Sequence, residues 1–262
     1  MTPEDYAQLV AEGYNHIPIT REIFADLDTP LSCYIKVARG PYSYLLESVA
    51  QGGEKWSRYS VVGLPSSQIL KISGSEVSIE QDGEVIERVA TDDPLGFVEN
   101  FRKQFRYPDI PDLPIYTGGL VGYFGYDTVR FVERKLRDSA PPDTIGCPDI
   151  LLMVSNEVIV FDNVEAKIHL ITHAQADDPD ALEKSNHCLD EMQAALNSEV
   201  PADIRKPARG PAIYEADFVS SYGEEKFQQD VEKIKEYIVA GDTMQVVLSQ
   251  RMSVTFESDP LH

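Results

Sequence analysis

The stretch "DILLMVSNEVIVFDN" (Asp149–Asn163) decides the fold class. Two aliphatic, β-branched runs flank the polar pair Ser155-Asn156. Each run has the length of a buried strand rather than of a helix. "KIHLITHA" (Lys167–Ala174) follows and alternates apolar with polar residues. It reads as a further strand, forming a hairpin with "VIVF" across Asp162–Ala166.

The same grammar continues upstream. Tyr59–Val62 and Ser67–Ile72 are short strand candidates separated by the turn Gly63-Leu64-Pro65. Glu76–Ile79 and Glu84–Val89 flank "EQDGE", and Asp-Gly between β-prone runs is a hairpin signal. Pro41–Ser48 is apolar and aromatic and reads as a strand, whereas the residues between Gly13 and Gly40 read as irregular. Helices are expected around Glu4–Gly13, after Asp93-Pro94, and over Asp177–Glu199. The second carries Leu95, Val98, Phe101 and Phe105 at helical spacing. "RYPDIPDLP" (Arg106–Pro114) is a proline-rich connector. Many short strands with a few helices give an α+β chain built on antiparallel sheet.

A Pro/Lys/Arg connector follows residue 200. The expected division is therefore 1–200, a linker over 201–215, and a second region over 216–262. In that last region Ser221-Tyr222-Gly223-Glu224 fits a capping box. Phe227, Val231, Ile234 and Ile238 form a helical stripe, and Gly241 sits where a C-cap glycine belongs. Met244–Met252 has strand composition. Alternation puts Met244, Val246 and Leu248 on a core face and Gln245, Val247, Ser249 and Arg251 on a cleft face.

Composition excludes several functions. Lys plus Arg is 23 against 44 Asp plus Glu, a net charge of −21, which opposes binding to a phosphate backbone. No apolar run approaches the roughly eighteen residues of a membrane span. The N-terminal residues lack the basic and apolar regions of a secretory signal, so a cytoplasmic protein is expected. Cys33, Cys147 and Cys188 are widely spaced and read as reduced thiols. The five histidines make no HxxxH or HExxH pattern, so no zinc site is expected.

Few residues suggest chemistry. A strand glutamine such as Gln245 can orient a substrate or a water but cannot serve as a conventional general base. Arg251 could clamp a carboxylate. "GGLVGYFGYD" (Gly118–Asp127) follows neither GxxxxGK[ST] nor GxGxxG. Its glycines read as points of close backbone approach in a strand decorated with aromatics. "YSYLLES" (Tyr42–Ser48) ends in Glu47-Ser48, either as a plain connector or as the rim of a small-molecule pocket walled by Leu45 or Leu46.

Taken together, "YLLES", "RYSVVGL" (Arg58–Leu64), "YTGGLVGYFGYD" (Tyr116–Asp127), "CPDILLM" (Cys147–Met153) and "FQQDVEKIKEYIVAGDTMQVVLSQR" (Phe227–Arg251) resemble the component I subunits of anthranilate synthase, among the chorismate-using enzymes. The resemblance covers nearly the whole chain, with 165–215 unspecific.

It implies an α+β fold: an antiparallel β-sheet sandwich with outer helices. It also implies addition of ammonia to chorismate and elimination of pyruvate to give anthranilate, with Mg²⁺ as cofactor. The implied partner is a glutamine amidotransferase subunit that supplies the ammonia, and tryptophan is the implied feedback inhibitor. Its site falls on "LLES": Ser48 above all, with Glu47 and Leu46, and with Lys55 or Arg58 facing the same ligand.

Relatives that use water carry a lysine where this chain has Gln245. The glutamine therefore points to an ammonia-using branch and, of the residues on the cleft face, is the one given a catalytic role here. Component I of aminodeoxychorismate synthase is the alternative, and a non-catalytic module binding tryptophan or an amidotransferase is a third. Since that family is much longer than this chain, the magnesium ligands and most catalytic residues are expected beyond residue 262. The chain alone is expected to be inactive.

Overall fold

The computed structural model describes residues 1–25, 27–47, 58–137, 139–202, 204, 210–257 and 261. Two compact units divide it, Met1–Pro201 and Ala202–His262.

The first unit holds two five-stranded antiparallel sheets. One has the order β1-β10-β9-β3-β2, and the other β6-β5-β4-β8-β7. The strands of the first are β1 (His16–Phe24), β2 (Tyr44–Leu46), β3 (Tyr59–Gly63), β9 (Glu157–Asp162) and β10 (Lys167–Gln175). Those of the second are β4 (Gln68–Ser73), β5 (Glu76–Gln81), β6 (Glu84–Ala90), β7 (Gly119–Phe124) and β8 (Ile150–Ser155). The expected β9–β10 hairpin forms, with Lys167 opposite Asp162. The β5–β6 turn also forms, with positive φ at both Asp82 and Gly83, as an Asp-Gly hairpin turn requires.

Alternation along the strands decides the packing. Ile159, Phe161, Ile168 and Leu170 point to one face of the first sheet. There they meet Leu189, Met192 and Leu196 of α5 (Ala181–Leu196), whose buried positions recur at helical spacing. Helix α1 (Pro3–Ala11) adds Tyr6, Leu9 and Val10. The opposite face carries Val61, Val158, Val160 and Ile171, with Tyr44, Tyr59 and Tyr116 against them. Because both of its faces are covered, β9 is apolar almost throughout. In the second sheet Leu70, Ile72, Val77, Ile79, Ile150 and Leu152 pack on Val98 and Phe101 of α3 (Pro94–Arg102). Asp93 caps α3 by accepting from the Gly96 N–H at 2.9 Å, and Pro94 occupies its first turn. The α+β expectation of antiparallel sheets with outer helices holds.

Several local expectations are corrected. The residues read as irregular contain β1, the nine-residue strand His16–Phe24. Pro18 lies within it, and among the described residues β1 is an edge strand paired only with β10. A proline lacking its N–H is tolerated at a sheet edge. Of the strand expected over Pro41–Ser48, Tyr44–Leu46 forms among the described residues; Pro41 and Tyr42 form a turn, and Ser48 lies outside the described residues. The strands expected on either side of Gly63-Leu64-Pro65 form, and the turn between them does more than separate them. It carries the chain from one sheet to the other, and Asn156 carries it back.

Close approach of backbones explains two glycines. A Cβ at Gly122 would sit 1.9 Å from the Leu151 carbonyl oxygen on the neighbouring strand. One at Gly118 would meet the Ser155 carbonyl oxygen at 2.5 Å.

In the second unit α6 runs Glu224–Ala240 and ends at Gly241 with φ 83°. The expected capping box at Ser221 is absent. The N-cap is Gly223, and the Ser220 hydroxyl accepts from the N–H groups of Tyr222 and Gly223. The strand expected over Met244–Met252 is reduced to β12 (Met252–Ser253), paired with β11 (Val219–Ser220). Met244 is 97% exposed, Val246 is also exposed and Leu248 is half-buried, so the expected core face is not closed into a core. An extended segment becomes a strand only by pairing, and no described residue pairs with 244–250.

Candidate functional site

The "LLES" segment enters the structure on β2, the edge of the first sheet, where Tyr44, Leu45 and Leu46 lie opposite Gly63, Val62 and Val61. Alternation separates its two leucines. Leu45 packs into the helix-covered core, and Leu46 lies on the other face, 53% exposed, with exposed Glu47 next to it. Among the described residues of this segment, Leu46 and Glu47 are therefore the ones open to a ligand. Ser48 and Lys55 lie outside the described residues. Arg58 is already engaged: its Nε and Nη2 donate to Asp162 Oδ2 at 2.9 and 2.5 Å, and Nη2 reaches Glu165 at 3.1 Å. Burial works to raise the Asp162 pKa. The Arg58 guanidinium and the N–H groups of Glu165 and Val164 outweigh it and hold that carboxyl below the usual range.

Behind β2 lies a buried polar seam that no sequence motif announces. The Tyr44 hydroxyl is 2.8 Å from that of Tyr116 and 2.7 Å from that of Ser155. Burial, then the neighbouring Tyr116, push the Tyr44 phenol well above its ordinary value, and burial also raises Tyr116. All three hydroxyls keep their protons. Alternate tyrosines at 42 and 44 were the available signal, but without partner strands they read as ordinary β residues.

His173 extends the seam. Its Nδ1 is 2.8 Å from the Asn156 carbonyl oxygen, which can only accept, so the neutral ring carries its proton on Nδ1. Tyr107 meets it edge-on at 5.2 Å, and His16 lies 5.5 Å beyond Tyr107. Burial pushes the His173 pKa down to about 4, with opposition from the Asn156 carbonyl and support from His16. Burial lowers His16 too, countered in part by Asp177.

The sign is therefore fixed. A histidine whose folded pKa lies below the unfolded value contributes full stability above about pH 6.5 and loses it as pH falls towards 4. Urea midpoints at pH 7, 6 and 5 are expected to fall more steeply for the wild type than for His173→Gln. The difference is at most about 1.4 kcal/mol per pH unit. Parallel curves would refute the neutral buried histidine.

The expected cleft residues of the second unit lie at its surface. Gln245 is exposed, and its carbonyl accepts from Thr243 Oγ1 at 3.2 Å. Ser249 is exposed as well, while Arg251 bonds through its backbone to Ser221. A groove of about 390 Å³ lies in the first unit, lined by Asp5, Leu9, Pro18, Thr20, Ile110 and Leu113 among others, and it holds none of the expected site residues. Among the described residues no three His, Cys, Asp or Glu side chains gather as a metal would need.

Comparison with known proteins gives these features a context. The sequence pattern of the family described as "chorismate binding enzyme" matches residues 43–262. The chain belongs to the chorismate-binding enzyme family. It is 49% identical over 261 residues to anthranilate synthase component 1 of Pseudomonas putida, covering 100% of this chain and 53% of that relative. The Neisseria gonorrhoeae protein of the same name is 46% identical over 264 residues, covering 100% and 52%. The crystal structure of anthranilate synthase component I from Streptococcus pneumoniae TIGR4 superposes with a TM-score of 0.59 at 30% identity, over 91% of this chain and 50% of that one. This chorismate-binding family member thus spans about half the length of the curated relatives it matches.

Proposed function

We propose that this chain is the N-terminal portion of component I of anthranilate synthase. The whole subunit would convert chorismate and ammonia to anthranilate and pyruvate in tryptophan biosynthesis. The observation that carries the reading is the 49% identity over 261 residues to a relative of that name. In this reading β2 and the residues after it form the regulatory site for tryptophan, with Ser48 as the main polar contact and Leu46 and Glu47 beside it. Gln245 faces the catalytic cleft, where the absence of a titratable amine disfavours activation of water. Mg²⁺ is held by residues outside this chain, a glutamine amidotransferase supplies the ammonia, and the protein works in the cytoplasm. No helix among the described residues is long and apolar enough to cross a membrane.

The test is fragment complementation. The chain is produced alone, and also together with the C-terminal half of the Pseudomonas putida relative. Each preparation is given chorismate, ammonium and Mg²⁺. The expected result is anthranilate fluorescence only from the combined halves. Formation of aminodeoxychorismate instead would assign the chain to the folate branch. Anthranilate formed by the chain alone would overturn the assignment of the catalytic machinery to the other half.

A further inference from the structure

We infer that the Tyr44 hydroxyl is a latch that couples β2 to the second sheet, so that a displacement of β2 is passed on to the entry of β7 rather than absorbed locally. Its regulatory use rests on the reading of β2 as part of the tryptophan site; the mechanical coupling does not.

Three observations carry it. First, β2 has three residues and, among the described residues, belongs to the first sheet through β3 alone. Second, the Tyr44 ring lies across Gly63, where a Cβ would be 2.0 Å from the Tyr44 Cε1. No side chain larger than hydrogen leaves the ring that path. Third, the hydroxyl ends on Ser155, the last residue of β8, which is paired with Gly119, the first residue of β7. It also meets Tyr116, three residues before that strand.

The location matters. The chain switches sheets at Leu64–Ser67 and again at Asn156, and Ser155 immediately precedes the second crossing. Ser66 Oγ donates to the Val154 carbonyl beside it, at 2.8 Å. The latch therefore closes at the junction of the sheets. Tyr44 has one proton and touches two hydroxyls, so it donates to one and accepts from the other. Ser155 is 2% exposed, and its hydroxyl also interacts with that of Tyr116, so the three hydroxyls form one cluster shut off from water on the Ser155 side.

Hydrogen exchange on the 262-residue chain, without tryptophan, tests the coupling. Tyr44→Phe keeps the ring and removes both hydrogen bonds. Exchange is expected to quicken on the order of tenfold, the equivalent of one buried hydrogen bond, at the amides of Tyr44–Leu46 and equally at Gly119–Val121. The amides of α5 should keep the wild-type rate. Acceleration confined to β2, or equal acceleration in α5, would overturn the latch.

Should Tyr44→Phe fail to fold, Tyr116→Phe leaves the Tyr44–Ser155 contact in place. It is expected to quicken exchange in β2, and wild-type rates there would overturn the proposal. These outcomes are separate from fragment complementation, so either reading can fail while the other stands.

Discussion

Gly118→Ala is expected to destabilise the first unit by roughly 3 kcal/mol or more, well beyond the effect of Gly119→Ala beside it. Both glycines have positive φ, 146° and 128°, so both variants suffer backbone strain on the order of 1–3 kcal/mol. Their surroundings differ. A Cβ at 118 would sit 2.5 Å from the Ser155 carbonyl oxygen and 2.6 Å from the His173 Cε1, whereas one at 119 meets nothing within 4 Å. Ser155 is strand backbone and His173 is buried, so neither can withdraw cheaply, and such overpacking adds about 1–3 kcal/mol. Urea unfolding of the two variants isolates the contact from the strain common to both. Equal midpoints would show that β8 yields and that Gly118 is tolerated for its φ alone.

Leu170→Ala should cost about 3 kcal/mol, within the roughly 2–5 kcal/mol typical of deleting a buried leucine side chain. Leu170 is fully buried on β10, between Arg21 of β1 and Ile159 of β9 in the ladder. Its face is covered by α5, and packing on both sides restricts collapse of the cavity. Val85→Ala is the matched control. Val85 is 47% exposed on the edge strand β6, and its loss is expected to stay within about 0.5 kcal/mol. A Leu170→Ala effect under about 1 kcal/mol would mean that the centre of the first sheet repacks freely.

These two sites differ in how far the sequence foreshadows them. The apolar alternation of "KIHLITHA" marks Leu170 as inward without any structure. The glycines of "GGLVGY" suggest close approach, but not that the approaching atoms belong to Ser155, Leu151 and His173. The candidate site divides in the same way. "LLES" is legible as a motif, yet only the strand direction shows that Leu45 enters the core while Leu46 stays open. Arg58, expected to face a ligand, spends its guanidinium on Asp162, more than a hundred residues away in the chain. That pairing follows from the β3–β9 ladder, where Tyr59 lies opposite Asp162. It could not be read from either segment alone.

What the sequence determined by itself was whatever short-range physics controls. The strand periods, the Asp82-Gly83 hairpin, the Asp93-Pro94 start of α3 and the Gly241 end of α6 depend on contacts within a few residues. The motif order that leads to the chorismate-binding family is likewise a property of the sequence. Tertiary structure decided everything that depends on which segments become neighbours. It sent β3 and β4 to different sheets and made Pro18 harmless by placing it at an edge. It brought Tyr44 to Ser155 and left Met244–Gln250 without a strand partner among the described residues. Backbone pairing across a sheet is a non-local bond, and a segment cannot specify it without its partner.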